Sequence, residues 1–243
     1  MNPIHRAVIV VPAHNEARGI RACLGALEAA ARCVTVPVSL LVVCDACDDG
    51  TADHCAAAGV PVVHIAARCV GAARRIGIAT LIGHDVHPKQ TWVATTDADS
   101  VVPVTWLRDQ IALADADADA GVDAVAGVVS LTSPERPGMR RAFELHYGQR
   151  IASRGLHHHV HGANLGVRAS AYLEVGGFAA VANHEDVLLV RALERRGHAI
   201  ARPDWISVQT SGRLVGRCDR GFAHTLAHLP PTAPADAPAL VPV

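Results

Sequence analysis

The chain has 243 residues, is 50% hydrophobic and carries a formal net charge of −1. This is enough apolar sequence for the core of one large domain or two small abutting ones. The near-neutral charge and the 3% aromatic content argue against a nucleic-acid-binding surface. The odd number of cysteines and the lack of an apolar signal sequence predict free thiols and a cytoplasmic protein. No apolar run reaches the roughly 18 residues of a membrane span.

Strands and helices alternate through the first hundred residues. Short β-branched runs predict buried strands at 6–11, 38–43 and 60–65, and a fourth strand that ends at Asp97. The connecting segments are helical, at 17–32, after a Thr51 N-cap, and at 70–83. This alternation predicts an α/β fold with a Rossmann-like, mostly parallel central sheet flanked by helices.

The second half of the chain is predicted to contain fewer strands. Its elements are a helix from Pro103, a strand at 123–131, a helix or mobile loop at 134–155, a short helix at 169–175, a helix at 187–196 and an extended segment at 199–209. The Pro- and Ala-rich segment 229–243 is predicted to be a disordered tail.

Acidic side chains follow the carboxyl ends of the predicted strands. Glu16 follows the first strand, Asp45 follows the second, and Asp97 and Asp99 follow the fourth. In parallel sheets these strand ends meet at one rim, where ligands bind. In an extended strand Asp97 and Asp99 would point to the same side. Two such carboxylates suit a Mg²⁺ ion that carries a phosphate.

The Asp-Ala-Asp spacing is not specific by itself. Asp115, Asp117 and Asp119 repeat it within an alanine-rich helix and the turn that follows, where a solvated acidic face is the simpler interpretation. A solvated acidic turn is also the alternative interpretation of Asp97 and Asp99. Only the position of these two residues after a buried strand favours the metal.

Several further motifs occur in a characteristic order. They are residues 8–16, Asp45 with 48–51, Gly71 to Arg74, residues 96–103, residues 162–164 with 176–178, and residues 184–186. Together, from about residue 6 to 226, they resemble the family 2 glycosyltransferases with the GT-A fold. The chain departs from that pattern at Arg75, where an asparagine is common. It also lacks the apolar C-terminal helices of the membrane-processive members, so a cellulose- or chitin-type synthase is not expected.

The resemblance implies a single GT-A domain over 1–228, with a nucleotide-sugar-binding half at about 1–100 and a smaller acceptor-binding half at about 101–228. It implies a nucleotide-diphosphate sugar as donor, with UDP-sugars favoured and GDP-sugars allowed, and a small-molecule or lipid-linked acceptor. It also implies Mg²⁺ or Mn²⁺ as the cofactor, and it is compatible with a homodimer.

The resemblance also assigns site residues. The donor contacts are Pro12, Ala13, His14, Glu16, Asp45, Arg74, Asp97, Ala98, Asp99, Arg213 and Arg217. The metal ligands are Asp97 and, more directly, Asp99, with His224 as a further ligand from the C-terminal segment. Arg213 and Arg217 would close over the diphosphate.

On the acceptor side the resemblance assigns binding to His161, Gly162, Ala163 and Asn164. Asp186 would be the general base, and Glu185 would hold Asp186 or the acceptor. Structural alternatives remain for these side chains. Glu185 and Asp186 could stabilise a helix N-terminus, and Glu16 and Asp45 could be helix N-caps. Arg74 could be a helix-surface arginine and His224 a helix-surface histidine.

The predicted activity is metal-dependent sugar transfer with inversion at the anomeric carbon. A retaining enzyme of the glucosyl-phosphoglycerate synthase type is the first alternative. A nucleotidyltransferase would usually carry a glycine-rich loop where this chain has residues 12–16. An inactive nucleotide-sugar-binding module is the remaining alternative.

Overall fold

The computed structural model describes residues 3–83, 87–116, 121–132, 135–151, 157–216 and 221–229. The strands are β1 (Arg6–Ala13), β2 (Val38–Asp45), β3 (Val62–Ile65), β4 (Thr91–Thr95), β5 (Ala124–Ala126), β6 (Val128–Thr132), β7 (Leu165–Arg168), β8 (Ile200–Ala201) and β9 (Ser207–Ser211). The helices are α1 (Ile20–Arg32), α2 (Thr51–Ala57), α3 (Val70–Ile82), α4 (Trp106–Ala114), α5 (Met139–Ile151), α6 (Ala169–Glu174), α7 (Glu185–Arg195) and α8 (Phe222–Ala227).

A seven-stranded sheet with the order β3-β2-β1-β4-β7-β5-β8 forms the centre of the fold. Strand β7 is antiparallel to both its neighbours, and the other pairs in this sheet are parallel. The predicted α/β fold with a mostly parallel sheet flanked by helices is therefore confirmed. A second, two-stranded sheet pairs β6 with β9 in parallel. None of the described helices is both long and apolar enough to cross a lipid bilayer.

Strand β1 is buried on both faces because helices cover both sides of the sheet. Ile9 and Val11 belong to a hydrophobic cluster that includes residues of α1 and α4. Val8 and Val10 belong to the cluster on the other face, which includes residues of α3, α6 and α7. A strand that is covered on both faces reads as a continuous apolar run, which explains why β1 was predictable from sequence.

The predicted strand at 123–131 is two strands in two different sheets. They separate at Gly127, where an added Cβ would lie 2.3 Å from Nδ2 of Asn164. The Asn164 amide donates to the carbonyls of Val128 and Ile206, and its oxygen accepts from the indole N–H of Trp106. The chain thus passes from one sheet to the other beside the buried amide of Asn164. The hydrophobic periodicity of the sequence cannot indicate such a change.

Strand β7 was not predicted, because it is short and contains Gly166. An added Cβ at Gly166 would lie 2.2 Å from Oε1 of Gln110 and 2.6 Å from the ring of Trp92, so a side chain would not fit. Since β7 is antiparallel, its beginning lies at the same rim as the ends of β1, β2 and β4. This orientation brings residues 162–164 to that rim.

The N-cap prediction for Thr51 is wrong. Thr51 is the first residue of α2 and is buried, and its hydroxyl accepts the backbone N–H of Glu16 at 2.8 Å. It also bonds to the carboxylate of Asp49. The side chain therefore joins the loops that follow β1 and β2 instead of capping a helix.

The segment 134–155, predicted as a helix or a mobile loop, contains helix α5. Phe143 of α5 packs in a third hydrophobic cluster with β6 and α8. The predicted tail lies outside the described residues except for Leu229, which is buried in this cluster.

Two helical glycines provide a matched test of the packing of α3 against the sheet. An added Cβ at Gly77 would lie 2.5 Å from Val10 and 2.7 Å from Val43, whereas one at Gly25 of α1 would meet nothing within 4 Å. We expect Gly77→Ala to lower the free energy of unfolding by about 1–3 kcal/mol through overpacking. Gly25→Ala should raise it by about 0.5–1 kcal/mol through helix propensity. Urea denaturation would measure both, and equal effects of the two substitutions would contradict the packing.

Candidate active site

A cavity of about 360 Å³ opens at the rim where the parallel strands end. Most of the predicted site residues line it. They are Pro12, Ala13, His14, Glu16, Asp45, Arg74, Asp97, Ala98, Asp99, His161, Gly162, Ala163, Glu185, Asp186 and Arg213. The tertiary structure thus gathers side chains from both halves of the chain around one space.

Asp97 and Asp99 lie beyond β4, not within it. Strand β4 ends at Thr95, and the two aspartates belong to a turn in which the Ser100 N–H donates to the Asp97 carbonyl at 3.0 Å. The strand-period argument for a shared side is therefore wrong. Both carboxylates still line the cavity, because this turn directly follows β4 at the rim of the sheet.

Asp99 is paired with an arginine from the far end of the chain. Its Oδ2 lies 3.1 Å from Arg213, and the same guanidinium makes contacts of 2.7 and 3.0 Å with the carboxylate of Glu16. The pKa of Asp99 is raised to about 6, chiefly by burial and also by the charges of Asp97 and Glu16, against the opposing effect of Arg213. Two carboxylates here share one partly exposed cation.

Arg74 connects the two sides of the cavity. Its guanidinium bonds to Asp97 and to Glu185, and its side chain is only 2% exposed. The alternative interpretation as a helix-surface arginine is therefore wrong. Burial raises the pKa of Glu185 to about 7, whereas Arg74 favours the ionised carboxylate.

Two glycines allow Arg74 to reach this position. An added Cβ at Gly71 would lie 2.1 Å from the carbonyl oxygen of Ala179, so helix α3 begins in close contact with the loop before α7. An added Cβ at Gly162 would lie 2.4–2.6 Å from the Arg74 guanidinium, which packs directly on the backbone there. Both motif glycines are thus required by packing around one buried cation.

Asp45 organises the loop before α3. Its carboxylate accepts the backbone N–H groups of Ala67, Arg68 and Cys69 at 2.7–2.8 Å. His14 donates from Nδ1 to the Asp45 carbonyl, which can only accept, so its Nε2 accepts from Arg68 at 3.0 Å. Most of the acceptor capacity of Asp45 is therefore used within the protein.

Asp186 faces the cavity from the first turn of α7, on the side predicted to bind the acceptor. Its Oδ2 accepts the N–H of Gly162 at 2.7 Å, and its Oδ1 accepts that of Val187 at 2.7 Å. These contacts fix the carboxylate beside the loop at 161–163 while the side chain remains half-buried. Its neighbour Glu185 points away, into the contact with Arg74.

Two predicted residues that the structure describes, Asn164 and His224, are not part of this lining. Asn164 is fully buried, and its amide bonds to the carbonyls of Val128 and Ile206 beside β6 and β9. Its side chain therefore holds these segments together and does not face the cavity. His224 is exposed on α8 and its ring packs on that of His228, with centroids 4.2 Å apart. Arg217 lies outside the described residues.

The donor set suits a metal that is delivered with a phosphate. Within the described ranges no three His, Cys, Asp or Glu side chains are arranged to hold an ion. Mg²⁺ often binds through one or two carboxylates and completes its shell with substrate phosphate and water. Asp97 and Asp99, facing the same cavity, provide that pair.

Sequence reasoning missed other cavity residues. Arg68 lines the cavity and bonds to His14, and its backbone has a positive φ of 46°. Tyr147 and Phe222 line the cavity beside His161. Because the chain has so few aromatic residues, each of them could have been considered as a candidate site residue from the sequence.

Arg74 and Arg75 are adjacent on α3 and form a matched pair for mutation. Arg74→Ala would leave Glu185 buried without its cation, so we expect a loss of about 3–5 kcal/mol in the free energy of unfolding. Arg75 is exposed, and Arg75→Ala should change it by less than about 0.5 kcal/mol. Chemical denaturation of both variants would measure this, and a stable Arg74→Ala protein would contradict the buried pair.

Solved structures with a similar fold are glycosyltransferases. Residues 1–349 of TarS from S. aureus in complex with UDP-GlcNAc match with a TM-score of 0.60 and 14% identity over 87% of this chain and 60% of that one. The mannosyltransferase PcManGT from Pyrobaculum calidifontis, in complex with GDP-Man and Mn²⁺, has a TM-score of 0.57 and 19% identity over 84% of this chain and 56% of that one.

Glucosyl-3-phosphoglycerate synthase from Mycobacterium tuberculosis, in complex with Mn²⁺, UDP and phosphoglyceric acid, has a TM-score of 0.55 and 18% identity over 84% of this chain and 69% of that one. The present chain spans only 36% of the longer TarS structure. At these identities the likeness extends to the fold, which is GT-A.

No curated protein matches the sequence significantly. A family model does match, over residues 8–176, and its description is glycosyl transferase family 2. That match contains the predicted donor-side motifs up to Asp99 and ends before Glu185 and Asp186. Since it spans more than half of the sequence, the chain belongs to glycosyl transferase family 2.

Proposed function

We propose that the chain transfers a sugar from a nucleotide-diphosphate sugar to an acceptor hydroxyl, with inversion at the anomeric carbon. One observation carries the proposal. Asp97 and Asp99 face the cavity from the side of the parallel strand ends, and Asp186 faces it from α7. A donor diphosphate and an acceptor hydroxyl would thus have carboxylates on opposite sides of one space.

The donor would occupy the side lined by β1, β2 and the turn after β4. His14, Glu16 and Asp45 are in reach of a nucleoside, and Arg68 and Arg213 are the nearby cations. A UDP-sugar or a GDP-sugar would suit this side, as similar structures were solved with UDP-GlcNAc and with GDP-Man.

Asp97 and Asp99 would hold Mg²⁺ or Mn²⁺ together with the diphosphate. The ion would neutralise the negative charge that develops on the leaving group. Arg213 now pairs with Asp99 and Glu16. Because its side chain is 25% exposed, it can exchange these contacts for diphosphate oxygens at moderate cost. Such a movement would also exclude water from the donor.

Asp186 would accept the proton of the acceptor hydroxyl as that hydroxyl attacks. Its two backbone hydrogen bonds orient the carboxylate and leave further lone pairs for a substrate. Glu185 would not touch the substrate. It would act through Arg74, whose contacts hold Asp97 and the start of α7 in fixed positions relative to each other.

The retaining reaction is the second candidate, favoured by the structural likeness to glucosyl-3-phosphoglycerate synthase. In that reaction the acceptor attacks from the same face as the leaving group, so Asp186 would not serve as an opposite-face base. The anomeric configuration of the product, measured by NMR, distinguishes the two reactions.

Asp186→Asn tests the proposed base. The amide oxygen can still accept the N–H of Gly162, and only the bond from the N–H of Val187 is lost, so the loop and the proposed donor side should keep their structure. We expect the transfer rate to fall about 10²–10⁴-fold, while the thermal shift on adding UDP and Mn²⁺ remains that of the unsubstituted protein. An unchanged transfer rate in this variant would remove Asp186 from the reaction.

Asp99→Asn tests metal binding through a thermal-shift panel of UDP, GDP and TDP, each with and without Mn²⁺. A ligand that binds only the folded state raises its stability, so the unsubstituted protein should show a Mn²⁺-dependent shift with its own nucleotide. Asp99→Asn should lose the Mn²⁺-dependent part, whereas Asp53→Asn on the exposed face of α2 should keep it. Equal shifts in both variants, or full activity in EDTA, would rule out the metal role.

A further inference from the structure

Aromatic rings line the side of the cavity that is proposed to bind the acceptor, although the chain contains only 3 Trp, 2 Tyr and 3 Phe. Tyr147 and Phe222 line this side together with His161. The ring of His161 lies 5.7 Å from that of Tyr147 and 5.7 Å from that of Phe222, between centroids. The ring of Phe143 packs against the rings of both Tyr147 and Phe222, with centroid distances of 4.1 and 5.7 Å. We call Tyr147, His161 and Phe222 the aromatic wall.

The wall is uncharged at neutral pH. Burial, together with the nearby rings of His159 and His157, lowers the pKa of His161 to about 3. The rings of His157, His159 and His161 stack in sequence, with centroids 5.8 and 6.1 Å apart. His161 therefore presents a neutral ring with one donor and one acceptor nitrogen.

The wall lies next to the proposed base. His161 directly precedes Gly162, whose N–H donates to Asp186 at 2.7 Å. Val160 and Val187 continue the apolar lining beside it. Among the described arginines of the cavity, Arg68 contacts His14 and Arg213 contacts Asp99. Arg74 packs on the backbone of Gly162, next to the wall, but its charge is paired with the carboxylates of Asp97 and Glu185.

We propose that the acceptor is a neutral, ring-bearing compound whose apolar face packs against Tyr147, His161 and Phe222 while its hydroxyl reaches Asp186. The inference rests on the proposed sugar transfer and names its acceptor class. Aromatic side chains offer large, flat apolar surfaces with fixed geometry, and binding pockets combine such surfaces with a few polar groups that set orientation. The C–H face of a pyranose and the face of an aryl ring share this chemistry.

The test is a binding titration of the full chain with small-molecule probes, with and without UDP and Mn²⁺. Binding is measured by NMR saturation transfer and by calorimetry. The probes are phenyl β-D-glucopyranoside, methyl β-D-glucopyranoside and 3-phosphoglycerate. The phenyl glucoside should bind, and 3-phosphoglycerate should neither bind as tightly nor displace it. Binding of methyl β-D-glucopyranoside would identify the sugar ring as the packed face, and binding of the phenyl compound alone would identify the aryl ring.

Variants of the wall provide the second readout. Phe222→Ala should weaken binding of the phenyl glucoside about fivefold or more, because it loses one ring contact. Tyr147→Leu keeps apolar volume in the cluster, so it should remain folded and still weaken binding. Trp205→Ala, which removes a ring that is 60% exposed outside the cavity lining, should bind like the unsubstituted protein.

The inference is overturned if neither glucoside binds, if 3-phosphoglycerate binds more tightly than both, or if the wall variants bind the phenyl glucoside normally. These outcomes are separate from a failure of the proposed function. If UDP with Mn²⁺ produces no stabilisation, the donor assignment fails, while the titration without nucleotide still decides whether the wall binds rings.

Discussion

The contact of Arg74 with Asp97 and Glu185 is the constraint on which the cavity depends. The two carboxylates come from the turn after β4 and from the first residue of α7, 23 and 111 positions from Arg74 in sequence. A buried cation has lost its hydration and must be paired. One guanidinium therefore fixes the distance between the parallel half of the sheet and the helix that carries Asp186.

Several local features follow from this contact. Helix α3 must approach the loop before α7 closely, which Gly71 permits, and the backbone at Gly162 must lie against the guanidinium. The ring of Phe178 lies 5.6 Å from the guanidinium carbon on another side. Two sequence motifs, at residues 71–74 and 162–164, are therefore parts of one packing arrangement around Arg74. The phosphate contact expected for Arg74 remains a proposal, and the structure gives this arginine an internal role as well.

Arg74 and Arg213 illustrate two different uses of a cation beside carboxylates. Arg74 is almost fully buried, and removing it would leave a buried charge, so it belongs to the framework. Arg213 is a quarter exposed and reaches Glu16 and Asp99 from the end of β9. Contacts that remain partly in water are weaker and more easily exchanged. The framework around the proposed donor position is thus rigid on one side and adaptable on the other.

The sequence by itself determined the parallel strands β1, β2 and β4, because strands covered on both faces must be apolar throughout. It therefore also determined which acidic residues reach the rim. It did not determine β7 or the division at Gly127, since both depend on side chains that approach from distant segments. Nor did it distinguish surface from buried roles. Asn164, predicted to bind an acceptor, holds two strands and Trp106 together, and Arg74 is buried. Only the tertiary structure decided these roles, because burial and pairing arise from contacts between segments far apart in the chain.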